Sequence, residues 1–113
     1  MISITPSRAS PLYEACVESL EEALAAEQRG AHRIELCSAL DQDGLTPSRE
    51  SITRCVQRLS IPVMAMIRPR GGDFVYSDAE VAQMEEEIAF CKQAGVDGVV
   101  FGLLTRDGEI DLT

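Results

Sequence analysis

The sequence predicts an α/β fold, about four parallel strands alternating with three helices as part of a (β/α)8 barrel. Three observations predict it. Strand and helix signatures alternate along the chain, turn-rich segments follow the strands, and polar residues gather on one face of those strands. At 113 residues the chain suits one domain with a buried core and is short for two, so residues 1–113 read as one unit.

Each element has its own signature. "PLYEACV", Pro11 to Val17, reads as the first strand. In "ESLEEALAAEQRG", Leu20, Ala23, Leu24 and Glu27 recur at helical spacing and Gly30 supplies the stop. "HRIELCS" is the second strand and "ALDQDGL" the turn after it. "TPSRESITRCVQRL" reads as a helix opened by Thr46 as N-cap and Pro47 at the first helical position, with Ile52, Cys55, Val56 and Leu59 as its apolar stripe. "IPVMAMI" is the third strand and "RPRGGDFVY" its loop. The long helix "SDAEVAQMEEEIAFCKQAG" begins with Ser77 as cap and Glu80 at the capping-box position. "VDGVVFGLL" is the fourth strand, and the turn "TRDGEID" follows it.

This rhythm implies right-handed βαβ units and a parallel sheet, which an open doubly wound sheet and a barrel share. Side-chain alternation separates the two. On the second strand Ile34 and Leu36 share one face, while Arg33, Glu35 and Cys37 share the other. On the first, Tyr13, Ala15 and Val17 oppose Leu12, Glu14 and Cys16, so both strands end in Glu-x-Cys. Met64, Met66 and Arg68 share a parity on the third. Helices on both faces would bury these charges against apolar side chains, at several kcal/mol per unpaired ion. A barrel interior lets them meet one another.

Composition excludes several classes. Hydrophobic content of 45% with 26% charged residues fits a globular chain. A net charge of −9 opposes nucleic acid and anionic membranes as partners. "MISITPSRAS" has no apolar core for a signal peptide, and the longest apolar run, Gly98 to Leu104, is too short to span a bilayer, so the expected location is cytoplasmic. The four cysteines, Cys16, Cys37, Cys55 and Cys91, lack CxxC spacing and read as thiols rather than a disulfide framework.

The segments "YEACVESLEEALAAEQRGAHRIELC", "GLTPS", "IPVMAMIRPRGGDFVYSD" and "GVDGVVFGLLTRDGEID" resemble the N-terminal half of the copper homeostasis protein CutC family. The likeness runs over nearly the whole chain after Ser10, and "IRPRGGDF" followed by "YSD" is its most specific part; His32 stands where the family usually has aspartate. The resemblance implies a (β/α)8, or TIM, barrel and a role in Cu(I) handling and copper tolerance. It also implies a length of about 200 residues or more, with strands five to eight completing the barrel mouth.

Two functions follow as expectations. The resemblance marks Cys16 and Cys37 as candidate Cu(I) ligands, and thiolates suit this soft ion. If the first two strands pair in register, the two thiols lie about 5 Å apart, which serves a thiolate bridge and a disulfide alike. Free cysteines are also ordinary small buried hydrophobes, the reading given to Cys55 and Cys91 on their helix stripes. Met64 and Met66 read as packing, and His32, at the entry end of its strand, as neither ligand nor base. The alternative is an enzyme acting on a small anionic or sugar-like substrate. Glu14, Glu35 and Arg68 would converge at the barrel mouth as acid, base and cation, or else as an internal ion-pair cluster. Arg68, Arg70 and the backbone of Gly71 and Gly72 would clamp a small anion, with Asp73 orienting Arg70 or capping the loop. Four strands leave two edges open, at the first and the fourth, which predicts self-association or a longer native chain.

Overall fold

The computed structural model describes residues 2–5, 12–106 and 109–110. Pro11, the first residue of the predicted first strand, lies outside the described residues, as do parts of the turn after the fourth.

The fold is α/β, with four parallel strands and three helices in the predicted alternation. In chain order the elements are β1 (Ile2–Thr5), β2 (Leu12–Val17), α1 (Leu20–Gln28), β3 (Arg33–Leu36), a 3-10 turn (Leu40–Gln42), α2 (Arg49–Arg58), β4 (Val63–Met66), α3 (Asp78–Ala94) and β5 (Gly98–Val100). The sheet runs β1-β2-β3-β4-β5, so spatial order follows sequence order with no switch point. A doubly wound sheet reverses direction at its middle and covers both faces with helices. This one has all three helices on one face and stays an open arc.

Period-two patterning explains which face the helices cover. Ala15, Val17, Ile34, Leu36, Val63 and Ala65 are buried together with Leu20 and Ala23 of α1, Ile52 and Cys55 of α2, and Met84 and Cys91 of α3. Ile34 and Leu36 are wholly removed from solvent. Full burial of such side chains contributes roughly 1.5–3 kcal/mol each. Cys55 and Cys91 belong to this core. The other face carries Glu14, Cys16, Arg33, Glu35, Met64 and Met66, all half-buried.

Helix ends follow the local chemistry. The Ser77 hydroxyl accepts from the Glu80 N–H while the Glu80 carboxylate accepts from the Ser77 N–H, so the predicted capping box closes. Gly95 ends α3 at φ 92°, a conformation that favours glycine. α2 begins two residues later than Thr46 and Pro47 predict, with Ser48 as its cap. Thr46 is engaged elsewhere: its N–H donates to the Arg68 carbonyl at 3.0 Å, and its hydroxyl accepts from the Arg68 N–H at 2.8 Å. Both bonds hold Thr46 extended beside the exit of β4, so the helix starts beyond Pro47.

Two further expectations change. β5 is three residues long, not the nine of "VDGVVFGLL", because its partner β4 ends at Met66 and the chain then turns away. The edge of β2 is not open: β1 pairs with it antiparallel, Ile2 opposite Ala15 and Thr5 opposite Leu12. Among the described residues the sheet therefore has its parallel edge free only at β5.

Candidate functional site

The carboxyl ends of β2 and β3 place three ligand-type side chains together. Glu14, Cys16 and Glu35 each bring one ligand atom within 4.8 Å of the others. The parallel register explains the grouping: Glu14 stands opposite Arg33 and Cys16 opposite Glu35. The two Glu-x-Cys motifs are thus offset by two residues rather than aligned. Cys16 does not face Cys37 directly, as in-register pairing predicts; Cys37 lies diagonally beyond it, its N–H donating to the Val17 carbonyl at 2.9 Å.

The electrostatics of this group disfavour anions. Burial pushes the Cys16 thiol up, and the neighbouring carboxylates of Glu35 and then Glu14 push it further. Burial also raises the Glu35 carboxyl, and a hydrogen bond shared with the Glu14 carboxyl adds to it. Glu14 has a cationic partner in Arg33, whose Nε donates to its carboxylate. A bound cation would relieve the mutual repulsion of Cys16 and Glu35. With one soft sulfur and two hard oxygens, these residues can hold a metal ion.

Cys37 is more enclosed. It is 2% exposed because the loop Ser38–Thr46 folds back over it, pinned by paired bonds between Ser38 and Leu45 at 2.8 and 2.7 Å. Its Sγ–H donates to the Val17 carbonyl at 3.6 Å. Burial first, and the negative charge of Cys16 and Glu35 next, push this thiol up to about 12. Gly44 makes the close cover possible. At φ 94°, a side chain there would lie 3.5 Å from Cys37 Sγ and 3.7 Å from the Met66 methyl, so both side chains flank Gly44.

The two arginines of "RPRGG" do different things. Arg68 does not reach Glu14 and Glu35. Its Nη1 donates to the Gln42 carbonyl at 2.9 Å and the Gly44 carbonyl at 3.4 Å, and its Nη2 to the Gly72 carbonyl at 2.9 Å. It therefore ties the loop after β3 to the loop after β4. Arg70 is held by Glu80 through Nε at 2.6 Å and Nη2 at 3.4 Å, by the Asp73 carboxylate at 3.2 Å, and by the carbonyls of Gly71, Asp73 and Val75. Those acceptors occupy its whole guanidinium, and Tyr76 stacks on it. Its hydrogen bond holds Glu80 below the usual carboxylate range. Gly71 and Gly72 contribute carbonyl oxygens to these two arginines, and the Asp73 carboxylate accepts from Arg70.

Sequence reasoning left out Arg33 as the partner of Glu14, and the loop Ser38–Thr46 as the cover of Cys37. The first follows from the offset register. A signal for the second exists in Gly44, the one glycine of "ALDQDGL".

Comparison with known proteins places this geometry in a family. The CutC family model matches residues 12–113. The human copper homeostasis protein cutC homolog is 54% identical over 100 residues, covering 88% of this chain and 37% of that protein. A family protein CutC from Vibrio vulnificus (strain CMCP6) is 52% identical over 99 residues, covering 88% of this chain and 40% of its own length. A crystal structure of CutC from Streptococcus agalactiae superposes with a TM-score of 0.82 at 40% identity, over 87% of this chain and 48% of that one. The chain thus spans less than half the length of the relatives it matches. From residue 12 to residue 113, it belongs to the CutC family.

Proposed function

We propose that this chain takes part in copper homeostasis by holding Cu(I) through the thiolates of Cys16 and Cys37. The observation that carries the reading is their placement: both sit at the carboxyl ends of neighbouring strands, on the sheet face away from the helices, with Cys37 diagonally beyond Cys16 in the register. The names of the relatives as copper homeostasis proteins support it. Two thiolates suit soft Cu(I). Both thiols are raised and protonated without metal, so copper binding displaces protons, and the reducing cytoplasm keeps the thiols available. The carboxylates of Glu14 and Glu35 supply negative charge beside the ion. In the longer relatives the remaining length would continue the sheet from β5 and close the barrel over this face; a second copy is the alternative partner for that edge. Titration with Cu(I) under reducing conditions tests the reading: stoichiometric binding is expected, and its loss in the Cys16→Ser, Cys37→Ser double variant.

A second reading, acid–base chemistry at Glu14 and Glu35, rests on their shared hydrogen bond beside Arg33. Glu35 is raised above its ordinary 4.5 in the fold. Its contribution to stability is present below the unfolded value and is lost as pH rises through the folded one. Glu35→Gln, neutral at every pH, is therefore expected to match or exceed the parent's thermal midpoint at neutral pH and to flatten its pH dependence. A clear loss of stability at neutral pH would instead identify Glu35 as an ion the structure requires.

A further inference from the structure

We propose that Arg68 forms a binding site for a small oxyanion, the carboxylate or phosphate of a small molecule, at the carboxyl end of β4. Arg68 is the buried charged side chain among the described residues, at 8% exposure. Its ionic situation differs from that of its neighbours. Arg33 is paired with Glu14, and Arg70 with Glu80 and Asp73, whereas no described carboxylate forms a salt bridge with Arg68. A buried cation lacking a counter-charge is costly, and a bound anion removes that cost.

The donor geometry names the ligand class. Of the five guanidinium N–H groups, the two on Nη1 go to the carbonyls of Gln42 and Gly44, and one on Nη2 goes to the carbonyl of Gly72. Nε is buried and has no hydrogen-bond partner. The unused donors are therefore Nε–H and one Nη2–H, on the two nitrogens that form one edge of the fork. That edge grips a carboxylate or phosphate through two parallel hydrogen bonds. The three carbonyl contacts hold the fork in place, so little ordering remains to oppose binding.

Phe74 stacks on the guanidinium. Its ring is half-buried, 5.0 Å from centroid to Cζ, and a side chain at Gly102 would come within 3.4 Å of it. A ring on the face of the fork leaves in-plane approach to the Nε edge open. Diffuse attraction plays no part, since the chain carries a net charge of −9 and repels anions at long range. The site is independent of the copper reading, because neither thiol contributes to it.

The test follows the Nε–Hε resonance of Arg68 in the isotope-labelled chain during separate titrations with inorganic phosphate and acetate. A saturable shift is expected, about tenfold weaker for the same anion in Arg68→Lys by heat of binding, because lysine keeps the charge and loses the fork. Phe74→Ala, which removes the ring from the face of the fork and leaves its edge, is expected to keep the saturable shift. Preference for phosphate or for acetate identifies which ligand group the site takes. Running the titration also in the Cys16→Ser, Cys37→Ser variant separates this site from copper binding. Absence of a saturable shift with both anions, in the parent and in Phe74→Ala, would overturn the proposal, as would anion binding unchanged in Arg68→Lys.

Discussion

Cys37 is expected to react with iodoacetamide on the order of 10- to 100-fold more slowly than an unperturbed thiol near neutral pH, before any steric shielding is counted. The thiol is pushed from 9.0 to about 12, which lowers its thiolate fraction about a thousandfold. A more basic thiolate is also more nucleophilic, and a Brønsted slope of about 0.4–0.5 restores about 16- to 32-fold of that. The first effect wins. At 2% exposure under the Ser38–Thr46 loop, steric shielding lowers the rate further. Mass-spectrometric mapping of alkylation at each cysteine checks the ratio, with the unfolded chain as reference. The same shift has a stability consequence. The folded value lies above the unfolded one, so the folded state holds this proton more tightly, and stability is expected to fall as pH rises from 9.0 to about 12. Rapid alkylation of Cys37 in the folded chain would show that the loop does not close as described.

Leu36→Ala is expected to cost about 2–5 kcal/mol and to lower the thermal midpoint by roughly 10 to 30 °C. Leu36 is wholly buried on β3, in the middle of the sheet, with α1 packed against that strand. Deleting its branched end leaves a cavity that paired strands on both sides cannot collapse to fill. A domain of this size has about 5–15 kcal/mol of stability in all, so the loss is a large fraction. Ile110, 72% exposed, is the control: Ile110→Ala is expected to change stability by no more than about 0.5 kcal/mol. Paired thermal melts by circular dichroism decide it, and equal effects at the two positions would contradict the core described.

Much of the fold was legible because local patterns carry it. Ile34 and Leu36 alternate with Arg33 and Glu35, and this period fixes which face meets the helices. Ser77 and Glu80 carry their cap in their own chemistry, and Gly95 ends the same helix by its backbone freedom. The pairing of neighbouring strands is less legible, because period two fixes a face without choosing between registers two residues apart. Aligning Glu14-x-Cys16 with Glu35-x-Cys37 therefore looked natural, while the strands pair Cys16 with Glu35. Arg68 was expected to seek carboxylates and instead donates to carbonyls of Gln42, Gly44 and Gly72. Backbone acceptors leave no mark in sequence. The role of Thr46 was obscured in the same way, since a threonine before proline looks like a cap until Arg68 is seen holding it. β1 was missed because Ile2 and Ile4 form too short an alternation to announce a strand.

The copper reading unites the offset strands, the raised thiols and the covering loop, and one measurement bears on it most directly. Cu(I) is titrated into the chain under reducing conditions against a chromogenic Cu(I) chelator, in parallel with Cys16→Ser, Cys37→Ser and the double variant. The expected result is one Cu(I) per chain for the parent, marked weakening in each single variant, and no competition with the chelator by the double variant. Undiminished Cu(I) binding in the double variant would contradict the assignment of Cys16 and Cys37 as its ligands.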